Sequence, residues 1–212
     1  MTTTSAADYL PEKLTLKSLR QAAAHCRGCD LYKDATQTVF GEGAARAKIM
    51  FVGEQPGDSE DIEGHPFVGP AGKLLRKAME EAGIEPRTVY VTNAVKHFKY
   101  VMRGKRRIHA KPRAIEMRAC SPWLEAEIAV VRPDILVALG ATAAQTLLGS
   151  AFRLTKHRGE FVQSHWAPRV IATVHPSSIL RAPDDETRHR EMRAFVRDLK
   201  TIAGAVGHSP SK

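Results

Sequence analysis

Between Lys96 and Arg113 the chain has no Asp or Glu, yet eight of its Lys and Arg fall there. The formal net charge of the 212 residues is +9, so the rest is close to neutral. A local cationic patch is the electrostatic footprint of phosphate-backbone binding, although a solvated loop has the same composition. Long apolar runs are missing too, and none approaches the roughly 20 residues that a membrane helix needs. The opening MTTTSAADYLPEK lacks the basic start and apolar stretch of a secretion signal, so a cytoplasmic location is expected, with nucleoid association when bound to nucleic acid. Cysteine is scarce: Cys26, Cys29 and Cys120 are the full set. An odd number argues against a disulfide framework, and the Cys-x-x-Cys spacing points instead to metal or redox chemistry. Neither G-x-G-x-x-G nor a Walker A lysine pattern occurs, which leaves mononucleotide and dinucleotide binding poorly supported.

What is present reads as a single α/β domain. Short apolar, β-branched runs at 48–53, 88–95, 134–140 and 169–174 predict four strands. Helical spacing follows or precedes them at 14–26, 71–84, 113–131, 141–149 and 186–205, with Pro122 expected to kink or split the third of these. Strands alternating with helices predict a mostly parallel four-stranded central sheet flanked by helices. Residues 1–12 are expected to be disordered or loosely attached, 13–206 to form the domain, and 207–212 to be a polar tail. In such sheets ligands bind at the carboxyl ends of the strands, and the unusual residues collect there: Glu54–Gly57, Asn93 and His175.

Three stretches carry candidate chemistry. GEQPGDSEDIEGHPFVGPAG (53–72) is a long, acid-rich strand-to-helix loop, and loops of that length are usually functional. Phe67 within it is either core or a stacking surface for a base. VTNAV ends a strand on Asn93, whose amide either satisfies backbone groups or pairs with a base edge. HPSSILR (175–181) offers Ser177 and Ser178 either as an ordinary helix N-cap or as phosphate contacts.

Taken in order, GEQPGDSEDIEGHPFVGPAGKLL, VTNAVKH and HPSS resemble the uracil-DNA glycosylase superfamily. The match is nearest to the iron–sulfur branch, family 4, and within it to the UdgX subgroup, and it spans roughly residues 20–205. The resemblance implies an enzyme that excises uracil from DNA, with single-stranded DNA the expected substrate; it indicates no protein partner and no membrane. It implies that a flipped uracil is stacked on Phe67 and read by Asn93. His175 would stabilise charge on uracil O2, and Glu54 would supply a carboxylate near the sugar. Gln55 and Asp58 are expected to line the uracil, with Glu60 a weaker candidate for excluding a thymine methyl.

Family 4 enzymes hold a 4Fe-4S cluster on four cysteines. Here Cys26, Cys29 and Cys120 match, and the position of the fourth is His97. Imidazole ligates iron in Rieske centres, so Cys26, Cys29, His97 and Cys120 are the implied ligands, with zinc the alternative metal. The basic stretch GKRRIHAKPR (104–113) resembles the loop that marks the UdgX subgroup. In that subgroup the loop histidine becomes covalently attached to deoxyribose once uracil has left, which implicates His109. A neutral imidazole held against C1′ would outcompete water through its effective molarity. Lys105, Arg106, Arg107 and Lys111 would hold the flanking phosphates. Two other expectations stand beside this one: a turnover family 4 glycosylase in which His109 only binds DNA, and a non-catalytic iron–sulfur nucleic-acid-binding protein.

Overall fold

The computed structural model describes residues 5–206; the first four residues and the polar tail at 207–212 lie outside the described residues. Strands β1 (Glu42–Gly43), β2 (Ile49–Gly53), β3 (Val89–Asn93), β6 (Ile135–Leu139), β7 (Phe161–Val162) and β8 (Arg169–Thr173) form one sheet in the order β1-β3-β2-β6-β8-β7. The four inner strands are parallel and coincide with the four apolar runs, while β1 and β7 add short antiparallel edges. β4 (Tyr100–Arg103) and β5 (Arg106–His109) form a separate two-stranded hairpin.

The inner strands are buried on both faces, as parallel strands between helices must be. Alternate residues sort to opposite sides. Ile49, Phe51, Val137 and Ile171 join the core under α3 (Pro70–Glu81) and α8 (Asp185–Ala205), with Phe195, Leu199 and Ile202 from the latter. Met50, Val52, Leu136 and Ala172 face α4 (Ala114–Val131) and α5 (Ala141–Leu148). Pro122 lies inside α4 without ending it. The Arg118 carbonyl, which a proline cannot serve, accepts the Ser121 hydroxyl at 3.1 Å instead.

A third core packs α1 (Leu16–Ala23) against α4 through Leu19, Ala23, Phe40 and Trp123. Ala6–Tyr9 forms a 3-10 turn with Ala6 fully buried in this core, so the loose attachment expected for residues 1–12 does not describe 6–9. Two short helices carry no clear sequence signal, α2 (Asp58–Glu63) and α6 (Leu154–His157), while α7 (Pro176–Leu180) follows the N-cap offered by HPSSILR. No described helix is long and apolar enough to cross a membrane.

Candidate active site

The chain leaves β2 toward β3 on one side, while β6 pairs on the other side of β2. Loops that follow β2 and β6 therefore part here and open a crevice, the usual ligand position in such sheets. A cleft of about 1060 Å³ occupies it, lined by Glu54, Phe67, Asn93, His109, Thr142 and His175 among others. The candidates drawn from four separate stretches of sequence thus meet at one place, joined by Thr142.

Asn93 ends β3, pairs in register with Gly53, and is 3% exposed. A side chain on Gly53 would collide with the Asn93 amide oxygen and stand 3.0 Å from the tip of Phe67. The bare glycine is what lets the amide and the ring share the cleft floor. Phe67 is buried and holds φ at +57°, a strained value for a bulky residue of the kind that collects at functional sites. The Arg76 guanidinium secures the Phe67 carbonyl at 2.8 Å.

His175 faces Phe67 nearly parallel, with centroids 6.2 Å apart and planes 29° apart. It caps α7 itself: its Nδ1 accepts the Ser177 N–H at 3.2 Å and lies 2.8 Å from the Ser177 hydroxyl. The expected serine N-cap is therefore replaced by the histidine, and Ser178 donates to the His175 carbonyl at 2.8 Å. Burial pushes the imidazole pKa down to about 4. With Nδ1 accepting, the neutral ring carries its proton on Nε2, a fixed donor for a developing oxyanion.

Glu54, just after β2, faces His109 at the end of β5, with Oε1 3.2 Å from Nε2. Burial alone would raise the Glu54 pKa, but hydrogen bonds from His109 and Thr142 and the charges of His109 and Lys111 outweigh it and hold the carboxyl below the usual range. The His109 side chain is half exposed, at the cleft mouth.

The basic segment is a built hairpin. Gly104 at φ +59° supplies the left-handed residue of its two-residue turn. Beneath it lies Phe98, fully buried, with Tyr100 5.3 Å away and the His109 ring 6.4 Å away. Two anchors hold the hairpin, and both revise the roles expected from sequence. Gln55 lines the cleft, but its amide donates to the Lys99 and Ala110 carbonyls at 3.0 and 3.2 Å and accepts from Lys99 N–H. It clasps the two ends of the hairpin and so is not free to read uracil through that amide. Arg107 is not a free phosphate clamp either. It pairs with Asp58 and Asp61 at 2.6 Å each and lies over Phe98 and Tyr100, which also engages the Asp58 carboxylate expected at uracil. Glu60 uses both oxygens on the Gly57 and Gly69 N–H groups.

Half of the segment's eight cations are neutralised. Lys96 pairs with Glu127, Lys99 and Arg113 with Glu116, and Arg107 with Asp58 and Asp61. Arg103, Lys105, Arg106 and Lys111 are exposed, and none has an ion-pair partner among the described residues. Lys96 went unrecognised because its charge is counted like its neighbours'. It is fully buried, and its Nζ holds the Asn93 carbonyl and the Thr92 hydroxyl at 2.7 Å each. That network fixes the strand end from which Asn93 projects.

The cysteines gather where α1, α4 and the segment after β3 meet. Trp123 Nε1–H and Lys96 N–H point at Cys26 and Cys120 sulfurs, each at 3.3 Å. Burial pushes the Cys120 thiol up to about 12, with Cys29 and Cys26 adding to the rise. His97 is buried, and its Nε2 lies 3.0 Å from the Thr38 hydroxyl, which itself donates to Ala23. That assigns the Nε2 hydrogen and leaves the Nδ1 lone pair as the donor atom. Among the described residues no three of His, Cys, Asp or Glu are drawn into a ligating arrangement. In donor chemistry the set still fits a thiolate-bound metal, with N–H groups already aimed at two of its sulfurs.

A parallel sheet with an amide, an aromatic ring and a neutral histidine donor converging at its switch point defines an α/β protein with its ligand crevice at the strand ends. The profile described as "Uracil DNA glycosylase superfamily" matches residues 40–200. The chain belongs to that superfamily and groups with its type-4 members. It is 38% identical to the type-4 uracil-DNA glycosylase of Thermotoga maritima over 181 residues, covering 85% of this chain and 90% of that one. With the Sulfurisphaera tokodaii type-4 enzyme it shares 36% over 178 residues, 80% and 78% of the two chains. With that of Saccharolobus solfataricus it shares 37% over 193 residues, 87% and 83%.

Proposed function

We propose that the protein excises uracil from DNA and is then captured by its own product, through a bond from the His109 imidazole to C1′ of the deoxyribose. One observation carries the second half: the His109 ring sits 3.2 Å from Glu54 at the mouth of the cleft that holds Asn93, Phe67 and His175. The flipped base stacks on Phe67, and the Asn93 amide accepts from uracil N3–H and donates to O4, a pattern that cytosine does not match. The C1′–N1 bond breaks, and the electron pair leaves with uracil, whose O2 receives the His175 Nε2–H. The unprotonated ring nitrogen of His109 attacks the electrophilic C1′, and Glu54 accepts the proton the ring then loses. Held in place, the imidazole meets C1′ at an effective concentration that water does not match. The enzyme acts once and stays attached, as the UdgX resemblance implies.

Lys105, Arg106 and Lys111, with Ser177 and Ser178, contact the flanking phosphates of single-stranded DNA. Cys26, Cys29, Cys120 and His97 would hold an iron–sulfur cluster, which supplies a covalent tie between the N-terminal helix and the segment leading to the hairpin.

The test is a uracil-containing single-stranded oligonucleotide mixed with protein and run on a denaturing gel, with free uracil measured in parallel. A stable shifted band that His109→Ala abolishes is the expected result. Released uracil with no shifted band supports the turnover glycosylase instead, and neither product leaves a binding protein.

A further inference from the structure

The hairpin has two faces, and only one is accounted for. Cross-strand partners share a face, and successive rungs alternate. Tyr100 with His109 and Met102 with Arg107 make the inner face; Tyr100, His109 and Arg107 lie against Phe98, and Arg107 reaches α2, while Met102 near the turn is 59% exposed. Val101 with Ile108 and Arg103 with Arg106 make the outer face. Val101 is 56% exposed and Ile108 38%, and both arginines are exposed with no ion-pair partner among the described residues. Two apolar side chains thus stand beside the catalytic histidine, with two free cations one repeat further out. Ile108 also lines the cleft, so this face is continuous with the uracil site.

We propose that the outer face of the hairpin is a single-strand DNA subsite, in which the base next to the extruded uracil stacks on Val101 and Ile108 while its phosphate meets Arg103 and Arg106. Neither the apolar pair nor Arg103 is needed for catalysis at C1′. Proteins that hold unpaired strands combine a base-stacking platform with a cationic track, and both elements occur here two rungs apart on one face. No acidic side chain stands on this face, which favours a polyanion over an acidic or mixed protein surface. An extruded base leaves its neighbours unstacked, and an apolar platform at the cleft mouth offers a replacement contact. The inference rests on the glycosylase reading only in placing the uracil in the adjoining cleft.

The probe is a labelled single-stranded oligonucleotide carrying 2′-fluoro-deoxyuridine, whose fluorine disfavours charge at C1′ and so prevents cleavage. It is titrated with natural neighbours and again with base-free tetrahydrofuran residues on both sides of the uracil. Wild-type protein should bind the base-free version at least about fivefold more weakly, the lower range for one stacked base. The double variant Val101→Thr/Ile108→Thr keeps β-branched side chains while losing the apolar surface. It should lose a similar factor on the natural probe and show no further loss on the base-free one, as coupled partners must. Val101→Phe should bind the natural probe about threefold tighter, a gain that misfolding cannot produce. Arg103→Gln should weaken both probes equally and reduce the salt dependence by about one charge. Equal binding of the two probes by wild type, or undiminished discrimination by the double variant, overturns the subsite. Absence of uracil release or of the covalent band in the earlier test overturns the glycosylase reading alone, because this probe requires neither.

Discussion

Asn93 ends a parallel strand in mid-sheet and is 3% exposed, whereas His109 ends a two-stranded hairpin with half its side chain in solvent. Two kinds of construction meet in one cleft. The cleft floor is carried by strands buried on both faces; Lys96, paired with Glu127, holds the Asn93 carbonyl, and Gly53 leaves room for the Asn93 amide. The hairpin touches the body through side-chain groups: the Gln55 clasp, the Arg107 pairs and its bond to Thr36, the Tyr100 hydroxyl on the Asp34 carbonyl, His109 on Glu54, and Phe98. On the proposed function, a floor that rejects cytosine needs fixed geometry, whereas a nucleophile that waits for uracil to leave needs only to be held near C1′.

Separating the two regions should separate release from capture. The largest effect is expected from His109→Ala, which removes the covalent band entirely while uracil release persists, as a denaturing gel and a free-uracil assay would read together. Loss of both would erase the distinction. Next is Gly53→Val, which displaces the Asn93 amide at the floor. Single-turnover uracil release should fall by about 100-fold, the scale of a small misplacement at a reacting centre.

Arg107→Met strikes the hairpin instead. It leaves the buried Asp61 with only the Thr36 N–H as a partner. A loss of about 2 kcal/mol, or roughly 4–8 °C in melting temperature, should accompany slower adduct formation with little change in release. Melting and rate measurements on one preparation would check both. The smallest change is expected with pH. Glu54 stays ionised and His175, depressed to about 4 by burial, stays neutral, so release should be flat from neutrality down to about pH 5. The fold is affected sooner. As pH falls from about 6.5 toward 4, the unfolded chain gains a proton on His175 that the folded chain refuses, so stability declines through that window. A release limb near pH 6.5 in the His109→Ala variant would contradict the assignment of His175 as a buried neutral donor.

The two regions also differed in legibility. Apolar, β-branched runs mark buried parallel strands directly, and all four inner strands begin and end close to their predicted bounds. β1 and β7, two residues each, are too short to carry a period. The hairpin was hidden by its charge: in YVMR and RRIH the polar and apolar residues fall on both faces, so no alternation survives. Charge also concealed which cations are free. Arg107 and Lys96 look like their neighbours in sequence, yet each faces a buried carboxylate contributed by a distant segment. The Gln55 clasp carries no local signal either, because its partners at Lys99 and Ala110 are 44 and 55 residues away.

The most direct measurement of the central claim is mass spectrometry of the covalent complex after nuclease and trypsin digestion. Cleavage after Arg107 and Arg113, with Lys111 protected by Pro112, isolates the peptide Ile108–Arg113 with His109 inside it. The account predicts that this peptide alone gains the mass of a deoxyribose remnant, localised by fragmentation to His109. An unmodified Ile108–Arg113 peptide, or the remnant on any other residue, would contradict it.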